Sequence, residues 1–227
     1  MKVYYEEENI QIYNADCLEV LPQLEKVDLC LTDPPYGIGF VYQEKEKTNN
    51  PEDYHKFIMP FFNEMKRVSK KFVAMAQATK YMRYFWQWYG DNIRIFIGYK
   101  TFVSLRNTFM NYAYEPWVFY LQKDIDIRIN GKPDRNLDWV KCDTAGLRNP
   151  NNLERQHPSP KPVSMLKAII NNFTNPNDLI LDPFLGSGTT AVACKELGRR
   201  CIGIEINSTY CDIAIKRLKN TQKDLFL

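Results

Sequence analysis

"DLILDPFLGSGTTAVA", residues 178–193, decides the fold. An apolar run of strand length enters Gly186-Ser187-Gly188, and a helix-compatible run opened by Thr189 and Thr190 leaves it. The two glycines leave bare backbone at a helix N-terminus, where N–H groups and the helix dipole can receive a ligand. Glu205 ends the next strand-like segment, "RCIGIEI", 19 residues after Gly186. A carboxylate at that distance can accept hydrogen bonds from both hydroxyls of a ribose. The pattern predicts a nucleoside site. Taken alone, residues 186–191 also satisfy the loose dinucleotide fingerprint, so a nicotinamide enzyme and a plain strand-to-helix turn both stand beside that reading.

A dinucleotide fold needs several strand–helix units after its glycine turn, and here only one strand and one helix, "TYCDIAIKRLKN", come after it. The other strands must come from upstream. "IQIYNA" (10–15) alternates as a strand does, and "VDLCLTD" (27–33) is a short apolar run suited to a buried parallel strand. "KFVAMAQ", "IRIFIGYKTF" and "YEPWVFYLQK" read as further strands, and "PVSMLKAIINNF" as a helix. "PEDYHKFIMPFFNEMKRVS" (51–69) has helical spacing, with a bend or break expected at Pro60. The aromatic stretch "YMRYFWQWY" reads as a helix with a core-facing stripe, and 124–160 as loop. Alternating strands and helices predict a doubly wound α/β sheet, circularly permuted. If "IQIYNAD" flanks the strand ending in Glu205 and "VDLCLTD" flanks the glycine-turn strand, then Asp16, Asp33, the glycines and Glu205 share the carboxyl edge of the sheet.

At 227 residues and 44% hydrophobic, the chain suits one core. The expectation is a single domain over 1–227, with small insertions near 40–52, 103–113 and 124–160. No apolar stretch approaches the roughly 20 residues of a membrane span, and "MKVYYEEENI" lacks the layout of a signal peptide, so a cytoplasmic protein is expected. Six scattered cysteines without a CxxC pair predict reduced structural thiols and no metal centre. The net charge of +3 is unevenly spread: residues 40–155 carry 19 Lys and Arg against 13 Asp and Glu. That stretch is the basic part of the chain.

"LTDPPYGIG" (31–39) places a carboxylate, two prolines and an aromatic ring at the end of a strand. Asp33 and the Pro34 carbonyl are both hydrogen-bond acceptors. Pro34 and Pro35 hold the backbone extended, which aims that carbonyl away from any ladder. Tyr36 offers a π-face, and Gly37 and Gly39 let the chain turn away.

"DPPY" upstream, then "HPSPKP" (157–162) and "DPFLGSGTT", then "GIEINSTY" (203–210) resemble, in this order, the β class of DNA amino-methyltransferases that use S-adenosylmethionine. The resemblance covers nearly the whole chain outside 40–155. It implies a Rossmann-like methyltransferase sheet, mostly parallel with one antiparallel strand. It implies catalytic roles for Asp33, Pro34, Pro35 and Tyr36: Asp33 and the Pro34 carbonyl accept the hydrogens of the exocyclic amino group of adenine or cytosine, a poor nucleophile because its lone pair is delocalised into the ring, and Tyr36 stacks on the extruded base, a contact worth about 1–3 kcal/mol. It carries cofactor contacts onto Asp16, Cys17, Lys161, Asp182, Pro183, Phe184, Gly186, Ser187, Gly188, Thr189 and Glu205. Double-stranded DNA is the implied substrate, with a homodimer and a companion restriction nuclease as candidate partners and no membrane.

"DPPY" rather than "SPPY" favours adenine N6 over cytosine N4. An RNA or protein amino-methyltransferase would place its glycine motif first, and a non-catalytic subunit would have lost the carboxylate or the glycine turn. Carbon-5 methylation needs a cysteine after a proline, and none is present. Lys161 has a second reading as a DNA contact, His157 reads as a loop-ordering residue, and Arg106, Asn107, Arg148 and Arg155 sit in segments suited to DNA.

Overall fold

The computed structural model describes residues 2–36, 50–100, 114–123, 139–142 and 161–222. Within them, nine strands form one sheet: β1 (Tyr5–Glu7), β2 (Ile10–Asn14), β3 (Val27–Thr32), β4 (Ser69–Ala76), β5 (Ile93–Lys100), β6 (Tyr114–Leu121), β7 (Trp139–Cys142), β8 (Leu179–Asp182) and β9 (Arg200–Glu205). Their order is β1-β2-β9-β8-β3-β4-β6-β5-β7. The last two strands in sequence therefore fill the gap between the first parallel strands, which is the permutation expected from the motif order. β2 runs parallel to β9 with Asn14 opposite Glu205, and β3 runs parallel to β8.

Two strands, not one, run against the rest. β6 is antiparallel to β4 and β5, as the expected reversed strand, and β1 forms an edge hairpin with β2. β1 is only three residues of "YEE", too short and too polar to show a period of two. β7 lies hidden in the stretch that reads as loop; its four residues pair in parallel with β5.

Helices cover both faces. Along β4, Phe72, Ala74 and Ala76 face α4 (Val163–Phe173), α5 (Thr189–Glu196) and α6 (Ser208–Lys219), whereas Val73 and Met75 face α1 (Cys17–Val20), α2 (Pro51–Val68) and α3 (Phe85–Tyr89). This alternation is what a strand buried on both faces requires. α2 continues through Pro60 without a break. Its buried stripe of Tyr54, Ile58, Phe62, Met65 and Val68 holds the helix down, while Pro60 lies on the exposed side, where water can satisfy the carbonyl that loses its partner. The aromatic stretch forms a 3-10 turn (Thr79–Tyr84) leading into α3, with Tyr81, Phe85, Trp88 and Tyr89 buried. Trp86 is the one aromatic side chain of that stretch left exposed, at 53%. The five cysteines whose side chains are described are buried free thiols. Among the described residues, no helix is long and apolar enough to cross a membrane.

Candidate active site

Parallel strands bring their carboxyl ends to one edge, and the site is built from the turns that leave those ends. After β8 the chain turns through Gly186 (φ 54°) and Gly188 (φ 85°) into α5. At Gly188 the positive φ and the packing agree, since a Cβ there would lie 2.6 Å from the Cβ of Ala214 on α6. Arg217, also on α6 and buried, donates from one guanidinium nitrogen to the carbonyl (2.8 Å) and hydroxyl (3.1 Å) of Ser187 and to the hydroxyl of Thr189 (3.2 Å). Ser187 and Thr189 are thus buried supports of the loop.

At the end of β9, Glu205 accepts the Gly186 N–H at 2.8 Å on one carboxylate oxygen and the Asn207 N–H at 2.9 Å on the other. Burial raises its pKa, against the lowering effect of these N–H groups. Asn14, opposite in register, fixes the strand end by donating to the carbonyls of Glu205 (2.9 Å) and Ile206 (3.0 Å). Asp16 is exposed and caps α1 by accepting the Leu18 N–H at 2.9 Å. Cys17, next to it, is buried, and burial together with the charge of Asp16 pushes its thiol up to about 12, so it remains neutral.

Asp182 turns inward. One oxygen accepts from the hydroxyl of Thr32 at 2.7 Å and from the Phe184 N–H at 3.1 Å, and the other accepts from the hydroxyl of Thr190. Burial raises its pKa to about 6 despite these three donors. Pro183 is buried beside it, and Phe184, half-buried, meets Phe61 edge-on with centroids 5.0 Å apart.

Asp33 comes directly after β3, one residue beyond Thr32. The phenol of Tyr36 donates to its Oδ1, and the ammonium of Lys161 lies 2.7 Å from its Oδ2. Burial, then the charge of Asp33, holds the Tyr36 phenol well above its ordinary pKa, so it stays a donor. Lys161, just before α4 and only 4% exposed, also lies 3.7 Å from a carboxylate oxygen of Glu115 on β6 and 5.1 Å from the centroid of the Tyr36 ring. Pro34 is buried and Pro35 half-buried.

The residues singled out in the sequence therefore converge on one edge in two groups: Asp16, Glu205 and the glycine loop in one, and Asp33, Tyr36 and Lys161 in the other. Lys161, expected at the cofactor, sits with the second group. Gly37, Gly39, Arg106, Asn107, Arg148, Arg155 and His157 lie outside the described residues. Sequence reading did not single out Thr32, Thr190, Arg217, Asn14 or Glu115. The first two lie inside the quoted stretches 31–39 and 182–190 but were given no role in the site; Arg217 and Glu115 reach the site only through the packing of α6 and the reversed direction of β6.

Residues 27–216 match the N6/N4 DNA methylase family. The chain is 33% identical to the putative methylase YubD of Escherichia coli over 92% of its own length and 90% of the relative's. It is 28% identical to the DNA adenine methyltransferase YhdJ of the same organism, covering 91% and 82%. Among solved structures, the M1.HpyAVI–SAM complex superposes with a TM-score of 0.69 at 26% identity, covering 92% of this chain and 99% of that one. With the glycine loop and "DPPY" side by side on a Rossmann-like sheet and more than four-fifths of its length matched, this chain belongs to the S-adenosylmethionine-dependent N6/N4 DNA methylases.

Proposed function

We propose that this chain, a β-class enzyme, transfers the methyl group of S-adenosylmethionine to the exocyclic amino group of a base flipped out of double-stranded DNA, adenine N6 in preference to cytosine N4. The observation that carries the reading is the adjacency of Asp33 to the glycine loop, tied by the hydrogen bond from Thr32 to Asp182. The "DPPY" sequence and the relative named as a DNA adenine methyltransferase support adenine.

The residues fit the cofactor. Glu205 has acceptor capacity left for ribose hydroxyls beside its bonds from backbone N–H groups. The bare backbone at Gly186 and Gly188, the ring of Phe184 and the exposed carboxylate of Asp16 offer an open loop, an apolar face and a partner for an ammonium. Pro183, Ser187 and Thr189 shape that loop, Asp182 holds it to β3, and Cys17 lies beside Asp16 at the start of α1. When bound, the cofactor supplies a methyl group on a positively charged sulfur.

The chain's own contribution is geometry and charge. Asp33 accepts one hydrogen of the amino group and the Pro34 carbonyl the other, which draws the nitrogen lone pair out of conjugation. The carboxylate also offsets the positive charge that develops on nitrogen. Tyr36 stacks on the base, and Pro35 keeps the turn stiff. The reading takes 1–227 as one catalytic domain with small recognition insertions near 40–52, 103–113 and 124–160, in a cytoplasmic protein. A second copy completes the DNA cleft, and a companion restriction nuclease reads the same sequence.

Incubating the purified chain with labelled S-adenosylmethionine and unmethylated DNA, then digesting to nucleosides for mass spectrometry, tests this. N6-methyladenine is expected. N4-methylcytosine would move the assignment to the other base, and label confined to RNA or protein would overturn the DNA reading.

A further inference from the structure

Both oxygens of Asp33 are already engaged, one by the Tyr36 phenol and one by Lys161 at 2.7 Å. Each oxygen keeps a second lone pair, so space rather than acceptor capacity decides which partner gives way to an incoming amino group. Lys161 is the partner to be displaced, because its ammonium also lies over the Tyr36 ring, 5.1 Å from the centroid, where a base would stack. A cation only 4% exposed cannot leave one carboxylate without reaching another, since a buried unpaired charge is strongly unfavourable.

We propose that Glu115 is a positioning residue that receives the Lys161 ammonium when the amino group of the target base takes its place on Asp33. The distance is already short: 3.7 Å separates the same ammonium nitrogen from the Glu115 carboxylate, so rotation of a flexible lysine stem closes the pair. Glu115 itself is held on rigid backbone. It pairs across the sheet with Gly98 on β5, and the neighbouring Pro116 carbonyl accepts the N–H of Gln77 at 2.9 Å, just beyond β4. Charge gives a second reason. Asp33, Lys161 and Glu115 together carry one net negative charge next to a nitrogen that becomes positive, whereas Asp33 and Lys161 alone would carry none. Glu115 thereby removes a competitor from Asp33 and leaves that carboxylate able to act.

This role rests on the amino-methyltransferase reading, and the test separates the two. Single-turnover methylation of unmodified genomic DNA with tritiated S-adenosylmethionine is measured for the wild type, Glu115→Gln, Lys161→Met and the double variant, together with cofactor affinity by calorimetry. Glu115→Gln is expected to slow methylation about ten- to a hundredfold, the scale of a misplaced reacting group, with cofactor affinity unchanged. In the Lys161→Met background the same change should cost less than about twofold, because no ammonium remains to be received. A wild-type rate for Glu115→Gln, or an equal cost in both backgrounds, overturns the proposal. NMR of lysine labelled at the side-chain carbon provides a readout that does not depend on turnover. With DNA and a non-transferring cofactor analogue, the Lys161 signal should shift in the wild type and stay in place in Glu115→Gln; a shift in both variants or in neither overturns it. A wild type that puts no label into DNA overturns the functional reading and this role with it.

Discussion

The hydroxyl of Thr32 donates to the carboxylate of Asp182 at 2.7 Å, inside the protein, and so joins the last residue of β3 to the last residue of β8. The residue after Thr32 is Asp33, and four residues after Asp182 the glycine loop begins at Gly186. One buried bond thus sets the distance between the two halves of the site. Thr32→Val keeps the shape and removes the donor, leaving Asp182 short of one partner. It should cost about 1–3 kcal/mol in urea unfolding, and methylation should slow even where the variant is fully folded. An unchanged denaturation midpoint with a wild-type rate would show that the bond positions nothing.

Asp182 also predicts a pH dependence. An ordinary aspartate titrates near 3.8, and burial raises this one to about 6. Between those values the folded state holds a proton that the unfolded chain has released, so this group's contribution to stability is greatest at low pH and falls as pH rises toward about 6. The total change is about 3 kcal/mol at most. Since other carboxylates act in the opposite direction, the measurement is a difference: the stability of the wild type minus that of Asp182→Asn should decrease from pH 4 to pH 6. A constant difference across that range would mean that Asp182 titrates normally.

Much of this arrangement could be read in the sequence, because each motif ends a strand and parallel strands share an edge. Glu205, the glycines and Asp33 needed only their order along the chain to be placed together. The features that could not be read depend on direction or on the neighbour across a layer. Asp182 looks like a ligand contact in "LDPF", yet Thr32 and Thr190 turn it inward. Lys161 looks like a cofactor contact in "SPKP", yet the reversed direction of β6 brings Glu115 to the same edge and places the ammonium between two carboxylates. Pro60 was expected to bend or break α2, and its place on the solvent side lets water satisfy the carbonyl that its ring leaves without a partner.

Glu205→Ala should weaken S-adenosylmethionine binding by about 1–3 kcal/mol, the scale of a charged acceptor lost from a ligand. Because the same carboxylate holds the N–H groups of Gly186 and Asn207, the thermal midpoint should fall as well. Calorimetric titration with unchanged affinity would remove Glu205 from the cofactor site.

Asp33→Ala should lower single-turnover methylation by about 10²–10⁴, with cofactor affinity nearly unchanged, since Asp33 is needed where charge develops on nitrogen. Tyr36→Ala should instead appear partly as weaker capture of the extruded base. If Asp33→Ala folds and methylates at the wild-type rate, the "DPPY" segment is only a stiff turn after β3.

The order β2-β9-β8-β3 also governs how the protein comes into being. A ribosome that has delivered the first 177 residues has made the flanking strands β2 and β3 but neither of the two that lie between them. Until β8 and β9 emerge, the sheet is divided, and the face that α5 and α6 will cover has only α4 to close against. Contacts so distant along the chain form slowly and leave surface open to aggregation meanwhile. The glycine loop waits longer still, for Arg217 near the end of α6. A nascent chain therefore carries "DPPY" long before it can hold a methyl donor, and the ability to modify DNA arrives only once α6 has been made.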